Sequence, residues 1–323
     1  EEAHTLATEA RDATATLGDD LRAARAEAVI INGAADDAKA AADAAAADQL
    51  RADRSAAVFG ALVPLLACAA YRPALAQGLV VSMGGITEYT AKGAKRALLQ
   101  FVQADGSGEP GARAQEVCAE LLKLFERVGC KDGDPEARRL LAPLFTSVGA
   151  LLAQGCVPAA LAPGLLERAL AAVRNSRDIT RLRASVPVFI GLLRWPGEVR
   201  RQAIGVLLQF LGYSFPIVRQ ATAQALYIRL LEETGPLDLR GDGGAGAEVP
   251  AEALAEVSEL VSVTPWGTDN EEVLSAALRE VYQKLGVELP TGGRSMLVPK
   301  KAKEASQKPK EAEYADLVRE NHF

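Results

Sequence analysis

The chain has 323 residues, 49% of them apolar and 5% aromatic, with 36 Lys or Arg against 42 Asp or Glu for a net charge of -6. Few aromatics with abundant alanine and leucine suit helix-on-helix packing and argue against a β-sandwich, which wants β-branched and aromatic residues at period two. An acidic chain without an extended basic face is a poor general binder of nucleic acid, because that affinity comes from cations meeting phosphates.

Residues 1–54 carry 12 acidic and 6 basic side chains, and ten of the fourteen residues from Ala34 to Ala47 are alanine. Alanine favours helix but offers little surface to bury, so this segment is expected to be a mobile insert, at most transiently helical. The opening EEAHTLATEARDATATLGDD has no apolar core of a signal peptide and no initiating Met.

From Ser55 the pattern changes to helices punctuated by Gly and Pro. Helices are predicted at about 55–71, 73–82, 87–103, 112–129, 135–154, 158–174, 178–194, 197–212, 215–232, 251–263 and 269–286. One apolar uncharged stretch, Ala56 to Tyr71, has 16 residues and contains Gly60 and Pro64. It falls short of the roughly 20 residues that a bilayer crossing needs, so no membrane span is predicted. Clear apolar stripes run from Val117 through Leu121, Leu124, Phe125 and Val128, and from Leu141 through Leu144, Phe145, Val148, Leu151 and Leu152. Pro64, Pro143 and Pro187 lie inside apolar stretches, where they should kink a helix; a bent first helix of each pair would accommodate them.

The most informative stretch is Arg194 to Leu231, where two consecutive helices share a proline turn, a Val-Arg pair and small residues at helical spacing. Pro196 with Val199-Arg200 opens the first, and Pro216 with Val218-Arg219 opens the second. The first stripe is Val199, Ala203, Val206, Leu207 and Phe210; the second is Val218, Ala221, Ala225 and Ile228. Small residues let helices approach closely, so each pair needs the next to cover it. The predicted fold is all-α, a HEAT/armadillo-like α-solenoid of about five helical pairs over residues 55–289.

GDGGAG at Gly241 to Gly246 reads as a flexible inter-helix loop: no strand precedes it and no Lys-Ser or Lys-Thr follows, so it is not a phosphate cradle. A last stripe takes in Val273, Leu274, Ala277, Leu278, Val281 and Leu285. Beyond it, residues 290–323 form a Lys-rich tail expected to be solvated and disordered, with Tyr314, Leu317 and Val318 spaced for at most one docking turn.

Chemistry is hard to place. The two histidines, His4 and His322, lie in the segments expected to be mobile, so the ordered body lacks an imidazole for a nucleophile's base or a zinc site. Cys68, Cys118, Cys130 and Cys156 are far apart without C-x-x-C spacing and read as buried free thiols. Glu232-Glu233 and Glu271-Glu272 are explained as solvated charge at helix ends. There is no nucleotide-binding fingerprint. No catalytic, cofactor-binding or metal-ligating residue is assigned, and the chain reads as a binder rather than an enzyme.

The run from Asn175 to Leu231 resembles the carboxy-terminal region of the tubulin-folding cofactor D family. The resemblance is carried by Asn175-Ser176 with Asp178-Ile179, the block from Pro196 to Ala203, and Phe215-Pro216 with Arg219, Thr222, Ala223 and Tyr227. GLVVSMGGITEYT at Gly78 to Thr90, and the run around Trp266 ending in Leu285-Gly286-Val287, add to it. Together these cover most of residues 75–289; segment 1–54, the GDGGAG loop and the tail have no counterpart in the pattern. The resemblance implies the carboxy-terminal third of a cytosolic HEAT-repeat chaperone. It would capture β-tubulin after the chaperonin and work with cofactors C and E and an Arf-like small GTPase. That assembly joins or separates αβ-tubulin and stimulates GTP hydrolysis on tubulin at the microtubule cytoskeleton. The alternative is a generic HEAT scaffold, such as a transport receptor or a chromosome-organising subunit.

A solenoid binds through exposed aromatics and arginines near its turns. The contact candidates are Arg201, Trp195, Tyr213 and Trp266. Arg200 and Arg219 are instead expected to bridge neighbouring turns through carbonyls and carboxylates, with Asp178 and Glu198 as the acidic partners.

Overall fold

A computed structural model of the chain describes residues 39–289 except 52, 86, 107–108, 130–134 and 242–245. Helical backbone at residues 39–51 and 53–62, here α1, leads into a 3-10 turn, Val63–Ala67. Then follow α2 (Arg72–Met83), α3 (Glu88–Gln103), α4 (Ala112–Gly129), α5 (Pro135–Ala153), α6 (Ala162–Val173), α7 (Ile179–Leu192), α8 (Glu198–Leu211) and α9 (Pro216–Leu231). A two-residue antiparallel ladder, β1 (Leu237–Asp238) with β2 (Glu248–Val249), precedes α10 (Ala251–Val263) and α11 (Glu271–Lys284).

Consecutive helices from α2 onward pack as five pairs, and the pairs stack into two rows. A front row runs α2, α5, α7, α9, α10; a back row runs α3, α4, α6, α8, α11. The all-α solenoid read from the periodicity is the fold. In the three middle pairs the chain visits the back row first, whereas the first and last pairs start at the front.

The stripes explain the stacking. Val117, Leu121, Leu124, Phe125 and Val128 of α4 are all buried, as are the six predicted residues of α5. At about 25 cal/mol per Å² of apolar surface, each such side chain contributes roughly 1.5–3 kcal/mol before entropy is counted. Phe189 and Phe210 meet edge to face at 5.9 Å, and Phe210 meets Tyr213 in the same way at 6.3 Å. Ile228 departs from the predicted stripe and is 51% exposed. The buried side of α9 is Val218, Arg219, Thr222, Ala223, Leu226 and Leu230. Spacing alone does not show which of two adjacent stripes faces the core. Val273 is likewise 41% exposed at the free side of the last helix.

The internal prolines lie in the second helices of their pairs, Pro143 in α5 and Pro187 in α7, not in the first as expected. The reason is visible in the glycines opposite. A Cβ on Gly84 would lie 2.3 Å from Pro143 Cγ, and one on Gly149 would lie 3.2 Å from Pro187 Cβ. Pro143 seats against Gly84, the residue that ends α2, and Pro187 against Gly149 of α5. Pro64 falls in the 3-10 turn.

Three further expectations change. Pro196 precedes α8 without entering it; Gly197 is the cap, at φ 81, where a Cβ would be strained. The segment around Gly241 and Gly246 is flanked by a short β-ladder instead of being simply a loop, with residues 242–245 outside the described ones. The segment called a mobile insert is helical at residues 39–51 and 53–54, while 1–38 lie outside the described residues, as do His4, Cys130, His322 and the tail.

Cys118 and Cys156 are buried, whereas Cys68 is exposed at the end of the 3-10 turn, against the expectation of a buried thiol. Burial pushes the Cys118 thiol up to about 12, so at pH 8 it is almost wholly protonated and a poor nucleophile. Brief alkylation of the native chain at pH 8, followed by peptide mapping, should label Cys68 and leave Cys118 unmodified until denaturant is added. Equal labelling of both would contradict this packing.

Candidate partner-binding surface

Among the described residues, no group of three or more His, Cys, Asp or Glu is placed to hold a metal ion, and no helix is long and apolar enough to cross a membrane. What the fold offers is surface. One recess is a groove of about 740 Å³ in the back row between α6 and α8, lined by Pro163, Leu166, Leu170, Trp195, Val199 and Gln202. Trp195 is half-buried at its edge, held by the turn through its N–H to Leu192 O at 3.3 Å.

Glu198 forms the polar rim. Its carboxylate accepts from Arg201 Nε at 2.9 Å and from Gln202 Nε2 at 2.7 Å. The Arg201 hydrogen bond holds the Glu198 carboxyl below its ordinary range, and Gln202 adds to this. Arg201 is raised in return by that bond. A carboxylate so depressed contributes stability above its unfolded pKa, and that contribution is lost as pH falls through the folded value. The pair is partly exposed, with side chains 42% and 32% accessible, so its effect is that of a surface pair, at most about 1 kcal/mol. Gly241 packs against it: a Cβ there would lie 2.5 Å from Glu198 Oε2.

Arg200 and Arg219 bind carbonyl oxygens. Arg200 Nε donates to Leu193 O at 2.7 Å, Nη2 to Arg194 O at 3.2 Å and Nη1 to Asp238 O at 3.4 Å. Arg219, 4% exposed, donates through Nε to Trp266 O and Nη1 to Tyr213 O, both at 2.8 Å, and through Nη2 to Thr268 O. The acidic partners expected for them are elsewhere. Asp178 caps α7 by accepting from Arg181 N at 3.1 Å, and Glu198 serves Arg201. The carboxylate nearest Arg219 is Asp269, at 3.7 Å. Carbonyls prevail because a helix C-terminus leaves them without intrahelical donors and carries partial negative charge, which a planar guanidinium satisfies several at a time.

Two more arginines share this geometry and escaped notice in the sequence. Arg72 Nε donates to Leu66 O at 2.9 Å and Nη2 to Ala67 O at 3.0 Å; Arg181 Nη1 reaches Ala172 O at 3.4 Å. The signal was present for Arg181, three residues after its cap Asp178 just as Arg219 follows Pro216.

Two contact candidates are corrected to core residues. Tyr213 is 1% exposed and donates its hydroxyl to Ser176 O at 2.5 Å; Trp266 is 3% exposed and donates Nε1 to Val261 O at 2.8 Å. Aromatic rings next to a turn pack over it, and their polar atoms find backbone partners once buried. Tyr213→Phe should cost about 1–2 kcal/mol by leaving the Ser176 carbonyl without its donor, measurable in urea unfolding. An unchanged midpoint would contradict the bond. Of the four candidates, Trp195 and Arg201 remain partly exposed: Trp195 lines the groove together with Glu198, and Arg201 pairs with Glu198.

Residues 23–181 match the family described as tubulin folding cofactor D C terminal. The match takes in residues 23–54, for which no counterpart was expected. It ends in the first turn of α7, before the two proline-opened helices and before Trp195 and Arg201. No solved structure matches the chain. Over residues 23–181, just under half of the chain, the protein is similar to the tubulin folding cofactor D C-terminal family, which supports a role related to tubulin folding.

Proposed function

We propose that this chain is a non-catalytic segment of a cytoplasmic tubulin chaperone. It supplies helical surface for capturing β-tubulin released by the chaperonin, within an assembly that includes cofactors C and E and an Arf-like small GTPase. The assembly joins or separates the αβ-tubulin heterodimer and stimulates GTP hydrolysis on tubulin; the chain contributes by binding. The family match over residues 23–181 carries this reading. The two-row stack supports it, because such a stack presents a long surface of helices and turns.

Retention of purified β-tubulin and of an Arf-like GTPase by the immobilised 323-residue chain tests it. Both should be retained, while Ran and a transport signal peptide should pass through. Retention of Ran or the signal peptide without tubulin would transfer the chain to the transport receptors, and GTP hydrolysis by the isolated chain would overturn the non-catalytic reading. Within this assay, Arg201→Glu should reduce tubulin capture while shifting Tm by no more than about 3 °C, since it breaks only a surface pair. A large loss of Tm with capture intact would make Arg201 a structural residue.

A further inference from the structure

The groove between α6 and α8 has the size and the lining to take apolar side chains. Pro163, Leu166 and Leu170 line it with Trp195 and Val199 over about 740 Å³, within the roughly 300–1,000 Å³ of pockets that bury most of a ligand. Of the two tryptophans, Trp266 is sealed in the core, while Trp195 leaves part of its indole open here. The two carboxylates on the lining are already engaged, Glu198 by Arg201 and Gln202, and Glu167 by Arg168. What the groove has left to offer is therefore mainly apolar.

The chain itself leaves the folded body beside this rim. After α11 the Val287 N–H turns back to Tyr282 O at 3.0 Å, and a Cβ on Gly286 would lie 3.1 Å from that of Ala247. Ala247 closes the loop whose other limb, at Gly241, packs on the Glu198–Arg201 pair. Arg201 is raised chiefly by its Glu198 hydrogen bond, and the charge of Glu288 adds to this, which also puts Glu288 near the pair. The described chain stops one residue later, at Leu289, 46% exposed, and residues 290–323 lie beyond it. Among them Tyr314, Leu317 and Val318 stand at i, i+3 and i+4, so a single helical turn would put all three on one side. The intervening residues 290–313 have a root-mean-square reach of roughly 25–30 Å, well beyond one helix spacing of roughly 8–10 Å.

We infer that the α6–α8 groove is a docking site for the chain's own Tyr314, Leu317 and Val318, which cover Trp195 and so compete with any partner that uses it. The point of exit and the length beyond it select this occupant. A tether of this kind holds the segment at an effective concentration of about 1 mM, so a contact with a Kd of only about 0.1 mM in trans is closed about nine-tenths of the time. The docking is internal to the chain and needs no tubulin, so it and tubulin capture can each fail without the other.

The test uses the full chain and a fluorescein-labelled peptide of residues 309–323, read by anisotropy. Tyr314→Ser with Leu317→Ser and Val318→Ser, made in the chain, vacates the groove, and the peptide should bind this variant about tenfold more tightly than the unchanged chain. Adding Ala171→Arg, which fills the groove from an exposed position of α6, should abolish that binding. Adding Ala255→Arg, on exposed α10 surface, should change it less than about twofold. Circular dichroism melts separate lost binding from lost fold. In the otherwise unchanged chain, Tyr314→p-benzoylphenylalanine should crosslink within one molecule to peptides holding residues 159–174 or 195–202. Equal peptide affinity for the triple variant and the unchanged chain overturns the inference, as does binding that survives Ala171→Arg. So does a crosslinked dimer, which would make a second copy the donor, and so does opening of the groove by Met296→Ser with Leu297→Ser in place of the triple variant.

Discussion

Arg219→Ala should destabilise the protein by about 3–5 kcal/mol, the range for breaking a buried, multiply bonded charged group, and lower Tm by roughly 8–15 °C. The guanidinium joins three carbonyls from two turns, those of Tyr213, Trp266 and Thr268, and it is nearly sealed from water. Removing it leaves those oxygens buried without donors and opens a void beside Trp266. Arg219→Lys should recover little, since one ammonium does not reproduce a fork aimed at three acceptors. A melting temperature within about 3 °C of the parent for Arg219→Ala would show that the three bonds contribute little, because surface-like changes stay in that range.

Gly191→Ala should be the second most damaging, at about 2–3 kcal/mol, although it adds a single methyl. The new Cβ would lie 2.6 Å from Leu152 Cβ, at the contact between α5 and α7. Close packing leaves no space to absorb it, so the helices must separate. Leu152→Ala removes the side chain beyond Cβ and costs on its own account through lost burial. In the double variant, relief of crowding around the methyl should make the combined loss smaller than the sum by about 1 kcal/mol or more. Urea unfolding of the four-member cycle measures the coupling, and strict additivity would show that the Leu152 atoms beyond Cβ do not press on the new methyl.

The fold was legible because its information is periodic. Stripes such as Val117 to Val128 specify both a helix and a buried side, and proline turns mark where one helix stops. Helix limits at α4 and α10 coincide with the expectation for the same reason, since sharp breaks flank them. Row assignment was not legible: it depends on pairing of side chains remote in sequence, such as Gly149 with Pro187. The same limit governs the surface. Tyr213 and Trp266 look like exposed anchors beside turns, but a turn that folds back over the stack buries them. Arg200 and Arg219 announce a bridging role by spacing, while their acceptors are main-chain oxygens that no residue type reveals.

The Arg219 clamp also bears on how the stack comes apart. Its acceptors at Trp266 and Thr268 belong to the connection inside the last pair, while its own helix belongs to the pair before. A repeat array ordinarily loses its ends by fraying, one unit at a time. Here peeling away α10 and α11 would strand a buried cation, so the terminal two pairs should melt as one block, and trimming the chain near residue 250 should unravel α9 along with what was removed.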